Sequence, residues 1–274
     1  MTGRRHLALG AALGLMVAFS LGPFLWSVVT SVRPPSELTG GTLLPRALSI
    51  DSYAGVFGQR PFALYLRNSV VVGLLSTAIA LTAGALAAAV LARLRPSLGR
   101  LVEVTLLFFA LWPPAVLLVP LFTAGRALGL VDSLPGLALV HAALNVPFVT
   151  WMLATFFRQI PADLEDAARV DGFSRLQFLV RIALPLAAPA LAATAILAFI
   201  FSWNEFVIAL TFLSRDELRT VPVGIAMLAG VTVYEIPWGQ ISAAVVMTTL
   251  PVVAAVLVFQ RWIVSGLTAG AVKG

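Results

Sequence analysis

IPADLEDAARVDGFSRLQFLVRIALPLAAP, residues 160–189, is a charged stretch in a chain that is otherwise largely oil. Apolar residues make up 60% of the 274 positions and charged residues 11%. Yet Asp163, Glu165, Asp166 and Asp171 crowd between Arg158 and Arg181, with Arg169 and Arg175 among them. The stretch has its own helical logic. Pro161 suits a first helical position, and the acids after it sit near the positive end of the helix dipole. Leu164, Ala167, Ala168 and Asp171 follow at helical spacing, and Gly172 supplies a break. Ser174 and Gln177 have the spacing of a capping box, which starts a second helix. The pattern predicts two short helices meeting at a glycine corner, outside the membrane but held between membrane spans. An element of that kind suits a grip for a soluble partner.

The rest of the composition narrows the class. A mean hydropathy of +0.99 excludes an ordinary soluble domain. Without cysteine there are no disulfides, thiolate metal sites or cysteine nucleophiles. The net charge of +6 fits arginines at the cytoplasmic ends of spans better than it fits nucleic acid. Lys273 is the only lysine, so no phosphate-binding loop of the form GxxxxGK[ST] exists in this sequence. Nucleotide-driven work must therefore come from another chain. Neither HExxH nor GxSxG occurs, and His6 and His141 lie far apart, which argues against an intramembrane enzyme and leaves no metal set.

Six apolar runs are long enough to cross a bilayer, at about 7–32, 69–91, 101–124, 136–157, 186–213 and 241–264. The first is too long for the apolar core of a cleaved signal peptide and reads as an anchor. The second carries the small-residue stripe Gly73, Thr77, Ala80, Gly84 and Ala88, which suits close helix packing. Trp112-Pro113-Pro114 and Pro120 interrupt the third. In the fifth, Thr194, Ala198, Ser202, Glu205 and Ala209 share one side, and Glu205 is the one acid well inside a span. A charge there costs about 2.5–3.5 kcal/mol on insertion scales, so Glu205 is a candidate for the substrate path. Trp112, Asn145, Ser202, Trp203 and Asn204 join it as candidates, because sugar sites combine aromatic faces with a few polar groups. The segment from Val221 to Val233 is apolar but too short to span. His141 reads as a hydrogen-bonded structural group.

Arginine placement sets the expected orientation. One side holds Arg4, Arg5, Arg93, Arg95, Arg100, Arg158, Arg169, Arg175, Arg181, Arg261 and Lys273. The other holds Arg33, Arg46, Arg60, Arg67, Arg126, Arg215 and Arg219. The bias puts both termini and the charged stretch in the cytoplasm.

Glu165-Asp166-Ala167-Ala168, then Asp171-Gly172, then Ile182-Ala183-Leu184-Pro185, resembles the EAA loop of ABC-importer permeases. Asp166 stands where that pattern has its first alanine. RNSV at 67–70, PLFTAGRALGLVDSLPGL at 120–137, SWNEF at 202–206 and QRWIVSGLTAGAVKG at 260–274 also resemble the family. The last two resemble its sugar-importing branch, in particular the smaller permease of maltose- or trehalose-type systems. The resemblance implies an all-α protein of the bacterial inner membrane. It implies a single domain over residues 1–274 with six spans, a coupling loop at 158–188 and a tail at 265–274. It implies that Glu165, Asp166, Ala168, Asp171, Gly172 and Pro185 couple the chain to an ATPase, with Glu165 pairing a basic group there. Gly266, Thr268, Gly270 and Lys273 of the tail would reach the ATPase dimer.

The implied partners are a second, homologous permease, two ATPase subunits carrying ATP and Mg, and an extracytoplasmic sugar-binding lipoprotein. The last would meet the loop after the fifth span. The rival readings are an ABC permease for a non-sugar solute and, further off, a secondary transporter. The second rival lacks the repeat and the several intramembrane charges that such proteins use.

Overall fold

The computed structural model describes residues 2–38, 40, 42–229 and 236–269, and among them all regular structure is helical. In chain order the helices are α1 (Thr2–Ser31), α2 (Asp51–Gln59), α3 (Phe62–Leu91), α4 (Pro96–Ala110), α5 (Leu118–Ala127) and α6 (Leu134–Phe157). There follow α7 (Ala162–Val170), α8 (Arg175–Phe178), α9 (Leu184–Leu186), α10 (Ala188–Asn204), α11 (Val207–Phe212), α12 (Val221–Leu228) and α13 (Trp238–Ala269). A 3₁₀ turn at Pro114–Leu117 leads into α5, and a π turn at Leu179–Ala183 joins α8 to α9.

Four helical stretches are long and apolar enough to cross a membrane unbroken: Leu9–Ser31, Phe62–Leu91, Leu134–Phe157 and Trp238–Gln260. Two more candidates are bent pairs. Pro96–Ala110 meets Pro114–Ala127 at 87°, and Arg175–Leu186 meets Ala188–Asn204 at 83°. Counting each pair as one span gives six, in agreement with the apolar runs. The third and fifth runs are thus not straight rods. Pro113 and Pro114 each lack the N–H that would continue the helix from α4, and their rings clash with the preceding turn. Pro185 and Pro189 flank the second bend, where the π turn already loosens the ladder. The fifth span also ends sooner than its apolar run, because α10 stops at Asn204 and a separate short helix follows. The polar stretch before the second span contains α2, and α3 starts at Phe62 rather than near Ser69.

The chain forms two compact units. The first comprises Met1–Ala63 and Val223–Pro251. Here the chain beyond α1 is tied down by polar groups. Buried Arg33 lies over the Trp26 ring at 5.6 Å and donates to the carbonyls of Thr42 and Leu43, both at 2.9 Å. The Ser31 hydroxyl and the Tyr53 phenol share a hydrogen bond of 2.9 Å.

The second unit comprises Leu64–Pro222 and Val252–Gly274. Its core joins Ala80, Ala88 and Leu91 of α3 to Val149, Leu153 and Phe157 of α6, and onward to Ala168, Phe178, Leu179, Ala183 and Ala198. Lipid tails are as apolar as leucine, so close packing rather than the hydrophobic effect holds such helices together. The small-residue stripe of α3 does this work. A Cβ on Gly84 would sit 2.5 Å from Val149 Cγ1, and one on Gly73 would sit 2.6 Å from the Phe199 ring.

Candidate functional site

The charged stretch folds as a capped corner. Pro161 precedes α7 at its N-cap position, one residue earlier than expected and without a side-chain cap, and Asp163 and Glu165 lie in the first turn. The helix ends in a Schellman motif. Gly172 donates to Arg169 O at 3.0 Å, and Phe173 donates to Ala168 O at 2.9 Å. Gly172 has φ +83°, a left-handed conformation that glycine adopts without strain. The next helix starts with a complete capping box. Ser174 Oγ accepts from the Gln177 amide at 3.2 Å, and Gln177 Oε1 accepts from the Ser174 amide at 2.8 Å. The second arm is longer than the sequence suggests. It runs on through the π turn to Leu186, with Pro185 exposed near its end.

The six candidate coupling residues occupy different environments. Ala168 is buried in the core cluster, whereas Asp171 and Gly172 are exposed at the corner. The Asp166 side chain is 72% exposed, with only a loose 3.7 Å contact to Arg169. The Glu165 side chain is 13% exposed. Its two oxygens are already taken within the chain: Oε2 accepts from Arg93 Nε at 2.7 Å, and Oε1 accepts from Arg169 Nη2 at 2.7 Å. Beside them lies a cavity of about 610 Å³, walled by the ends of α3 and α6 and by α7 and α8.

The candidate path residues divide into two groups. Asn145, Ser202, Trp203 and Glu205 are largely buried between α6 and α10. Asn145 Nδ2 donates to Ala198 O at 3.4 Å, and Trp203 lies 5.5 Å from Phe199, ring to ring. His141 is fully buried. Its Nδ1 is 2.8 Å from Ser202 Oγ, and its Nε2 is 3.2 Å from Glu205 Oε2. Glu205 is not inside an unbroken helix, as the apolar run suggested. It sits in extended backbone between α10 and α11, and its carboxylate accepts from the amides of Ile208 and Ala209, both at 2.9 Å. With Glu205 an acceptor only, the consistent tautomer of His141 carries its proton on Nε2 and accepts at Nδ1 from the Ser202 hydroxyl. Asn204 and Trp112 form the second group. Asn204 is exposed, its amide donating to Ile200 O at 2.8 Å. Trp112 is half-buried at the first bend and stacks on Phe109 at 6.0 Å.

Of the tail, Gly266 and Thr268 lie in the last turns of α13, and Gly270 and Lys273 lie outside the described residues. The Val221–Val233 segment begins as α12, and its residues 230–233 also lie outside them.

Two residues that sequence reasoning did not single out hold loops in place. Arg93 is one. Asp132, at φ +54°, is the other. Its carboxylate accepts from the Ser214 hydroxyl at 2.7 Å, the Ser214 amide at 2.6 Å and the Arg215 amide at 3.3 Å. These bonds, the Ser214 hydroxyl foremost, hold its carboxyl below the ordinary value. The same loop is gripped at its far end by the RNSV segment. Asn68 Nδ2 donates to the carbonyls of Glu217 and Arg219, and the Val221 amide donates to Ser69 Oγ. A non-glycine residue with positive φ is a signal no residue string displays, although Asp is among the types that tolerate it.

Residues 80–268 match the family of the binding-protein-dependent transport system inner membrane component. The trehalose transport system permease protein SugB of Mycobacterium tuberculosis is 42% identical over 260 residues, covering 95% of each chain. The sulfoquinovosyl glycerol transport system permease protein SmoH of Agrobacterium fabrum is 41% identical, over 96% of this chain and 92% of that one. The trehalose/maltose transport system permease protein MalG of Thermococcus litoralis is 39% identical, over 95% and 94%. Among solved structures, a bacterial ABC transporter involved in the import of the acidic polysaccharide alginate aligns with a TM-score of 0.79. The two are 25% identical, over 95% of this chain and 97% of that one. Six candidate spans, a capped corner carrying the EAA pattern and a family match over most of the sequence converge: this chain belongs to the inner-membrane permeases of binding-protein-dependent ABC transporters.

Proposed function

We propose that this chain forms half of the membrane pathway of an ATP-driven importer for a di- or oligosaccharide. It works beside a second, homologous permease, two ATPase subunits and an extracytoplasmic sugar-binding lipoprotein. The observation that carries this reading is the capped corner at 162–178 in a chain whose only lysine cannot serve a phosphate loop. The sugar class rests on the relatives named for trehalose, sulfoquinovosyl glycerol and trehalose/maltose transport. The chain has no ATPase site of its own, and ATP and Mg belong to the partner subunits. Both termini and residues 158–188 face the cytoplasm, consistent with the arginine bias. The tail residues Gly266, Thr268, Gly270 and Lys273 reach toward the ATPase dimer.

The mechanism follows from stiffness. Docked binding protein and bound ATP favour closed ATPases, and closure moves the corner at Gly172 as a rigid lever. The spans rock, sugar enters near the midplane, and hydrolysis reverses the movement. Coupling of this kind requires that the docked contact differ in free energy between the two states. Asp166 and Asp171 offer exposed charge to the ATPase, while Glu165, Ala168, Gly172 and Pro185 shape the element. Among the path residues, Trp112 and Asn204 have open surface for a sugar. Asn145, Ser202, Trp203 and Glu205 hold α10 against α6 behind them.

The test is ATP hydrolysis by the assembled complex in lipid vesicles, with its binding protein and a panel of disaccharides. Stimulation by at least one disaccharide is expected. Stimulation only by phosphate or amino acids would overturn the sugar reading, and uptake driven by a proton gradient without ATP would overturn the importer reading.

A further inference from the structure

The helix that carries the EAA pattern is poorly held by packing. α7 has nine residues, and Ala168 is the one that is buried. Val170 is 89% exposed and Leu164 38% exposed, so of the larger apolar side chains one is free of the core and the other only partly covered. The cavity of about 610 Å³ runs along the face of the helix that carries Ala162, Glu165, Asp166 and Arg169. Against this loose seat there is one side-chain tie. Among the described residues, Arg93 Nε to Glu165 Oε2 at 2.7 Å is the hydrogen bond that links α7 to a residue distant in sequence. Arg93 sits directly beyond the end of α3, where the α3 ladder closes with Arg93 N to Val90 O at 3.0 Å. Glu165 is mostly shielded from water, which reduces solvent screening of the pair.

We propose that Arg93 is a positioning residue of the transport cycle: its ion pair with Glu165 is a strut that carries movement of the coupling helix into α3. Glu165 is therefore an internal member of the permease, held by Arg93 and Arg169. The strut rests on the reading that α7 meets the ATPase. The physical demand is simple. A lever seated beside a void transmits force only through its stiff contacts. Here those are Ala168, the closed C-terminal end at Gly172 and this ion pair. Arg169 alone cannot replace Arg93, because it lies on α7 itself, four residues along, and moves with it.

The experiment compares the assembled transporter with Arg93→Ala, Arg93→Lys, Glu165→Ala and the double Arg93→Ala/Glu165→Ala variant. Amide hydrogen exchange over residues 162–171 is read in the resting complex, and sugar uptake per ATP hydrolysed is read in vesicles. Arg93→Ala is expected to speed exchange in α7 about fivefold, the scale of a partly exposed charge pair, and to lower uptake per ATP by a similar factor. Arg93→Lys should keep most of both, since the charge remains. Arg93→Ala should add nothing in the Glu165→Ala background. Unchanged exchange in Arg93→Ala, or effects of the two single variants that multiply in the double, would overturn the strut. Hydrogen exchange needs no substrate. A complex that no sugar stimulates would thus sink the sugar reading while leaving the strut to be judged by exchange alone. Faster exchange with unchanged uptake per ATP would show that the tie is structural only, and would overturn its transport role.

Discussion

Two of the breaks between helices, at Gly172 and at Glu205, carry polar groups and are built on opposite principles. At Gly172 the chain turns among exposed residues. The backbone closes its own loose ends through a Schellman motif and a capping box, and every participant lies within a few residues of the corner. At Glu205 the chain breaks among buried residues. The orphan amides of α11 are satisfied by a carboxylate, and that carboxylate is held by a histidine 64 positions away on α6. The difference follows from the cost of an unmet polar group. In water a loose amide finds solvent. In a buried, apolar setting it must find a protein partner, and the partner must be carried there by packing. The first break is thus portable, and the second exists only inside this fold.

The largest expected effect is at the exposed corner. Gly172→Pro forces φ near −65° where +83° is needed and removes the amide that bonds Arg169. The variant should insert normally yet lose sugar-stimulated ATP hydrolysis almost completely in reconstituted vesicles. Gly172→Ala separates shape from space. Nothing lies within 4 Å of a Cβ there, so its cost is the left-handed backbone alone, about 1 kcal/mol, and it should retain partial transport. Full activity in the proline variant would break the contrast, because the corner would then not need its geometry.

Next is the buried break. Glu205→Ala leaves two amides and His141 Nε2 without their acceptor, at a cost of about 3 kcal/mol in thermal or denaturant unfolding in detergent. Glu205→Gln keeps an oxygen and should cost about 1 kcal/mol. If the two variants proved equally harmful, charge rather than capping would be the function of Glu205.

Smallest is the loop held by Asp132. Its carboxyl is depressed in the folded protein, so the stability it adds is present above the ordinary value of about 3.9 and is lost as pH falls through the depressed value. Asp132→Asn keeps a side chain that tolerates positive φ and removes the titration. It should lower stability by about 1 kcal/mol near neutrality. It should also flatten the acid limb of the stability profile below about pH 4.

The legible parts of this chain were local. The glycine corner, the capping box at Ser174 and Gln177, the apolar runs and the Trp112-Pro113-Pro114 break are each encoded within a few residues, and each has its counterpart in the structure. The illegible parts were pairings. Glu205 read as an isolated charge because His141 is distant in sequence. The resemblance gave Glu165 a partner outside the chain, and nothing in its sequence neighbourhood points to Arg93. The 83° bend before α10 was missed because an apolar run displays length but no direction.

By itself, the sequence determined that the chain lives in a membrane, that it lacks a phosphate loop and that a charged, capped helix pair stands between its spans. Hydropathy, one lysine and short-range backbone chemistry suffice for those conclusions. Only the tertiary structure decided which carboxylates have close partners within the chain. Glu165 is bound to Arg93 and Glu205 to His141, while Asp166 is open to water. A charge acquires its role from what surrounds it within a few ångströms, and that neighbourhood is assembled from helices far apart in the chain.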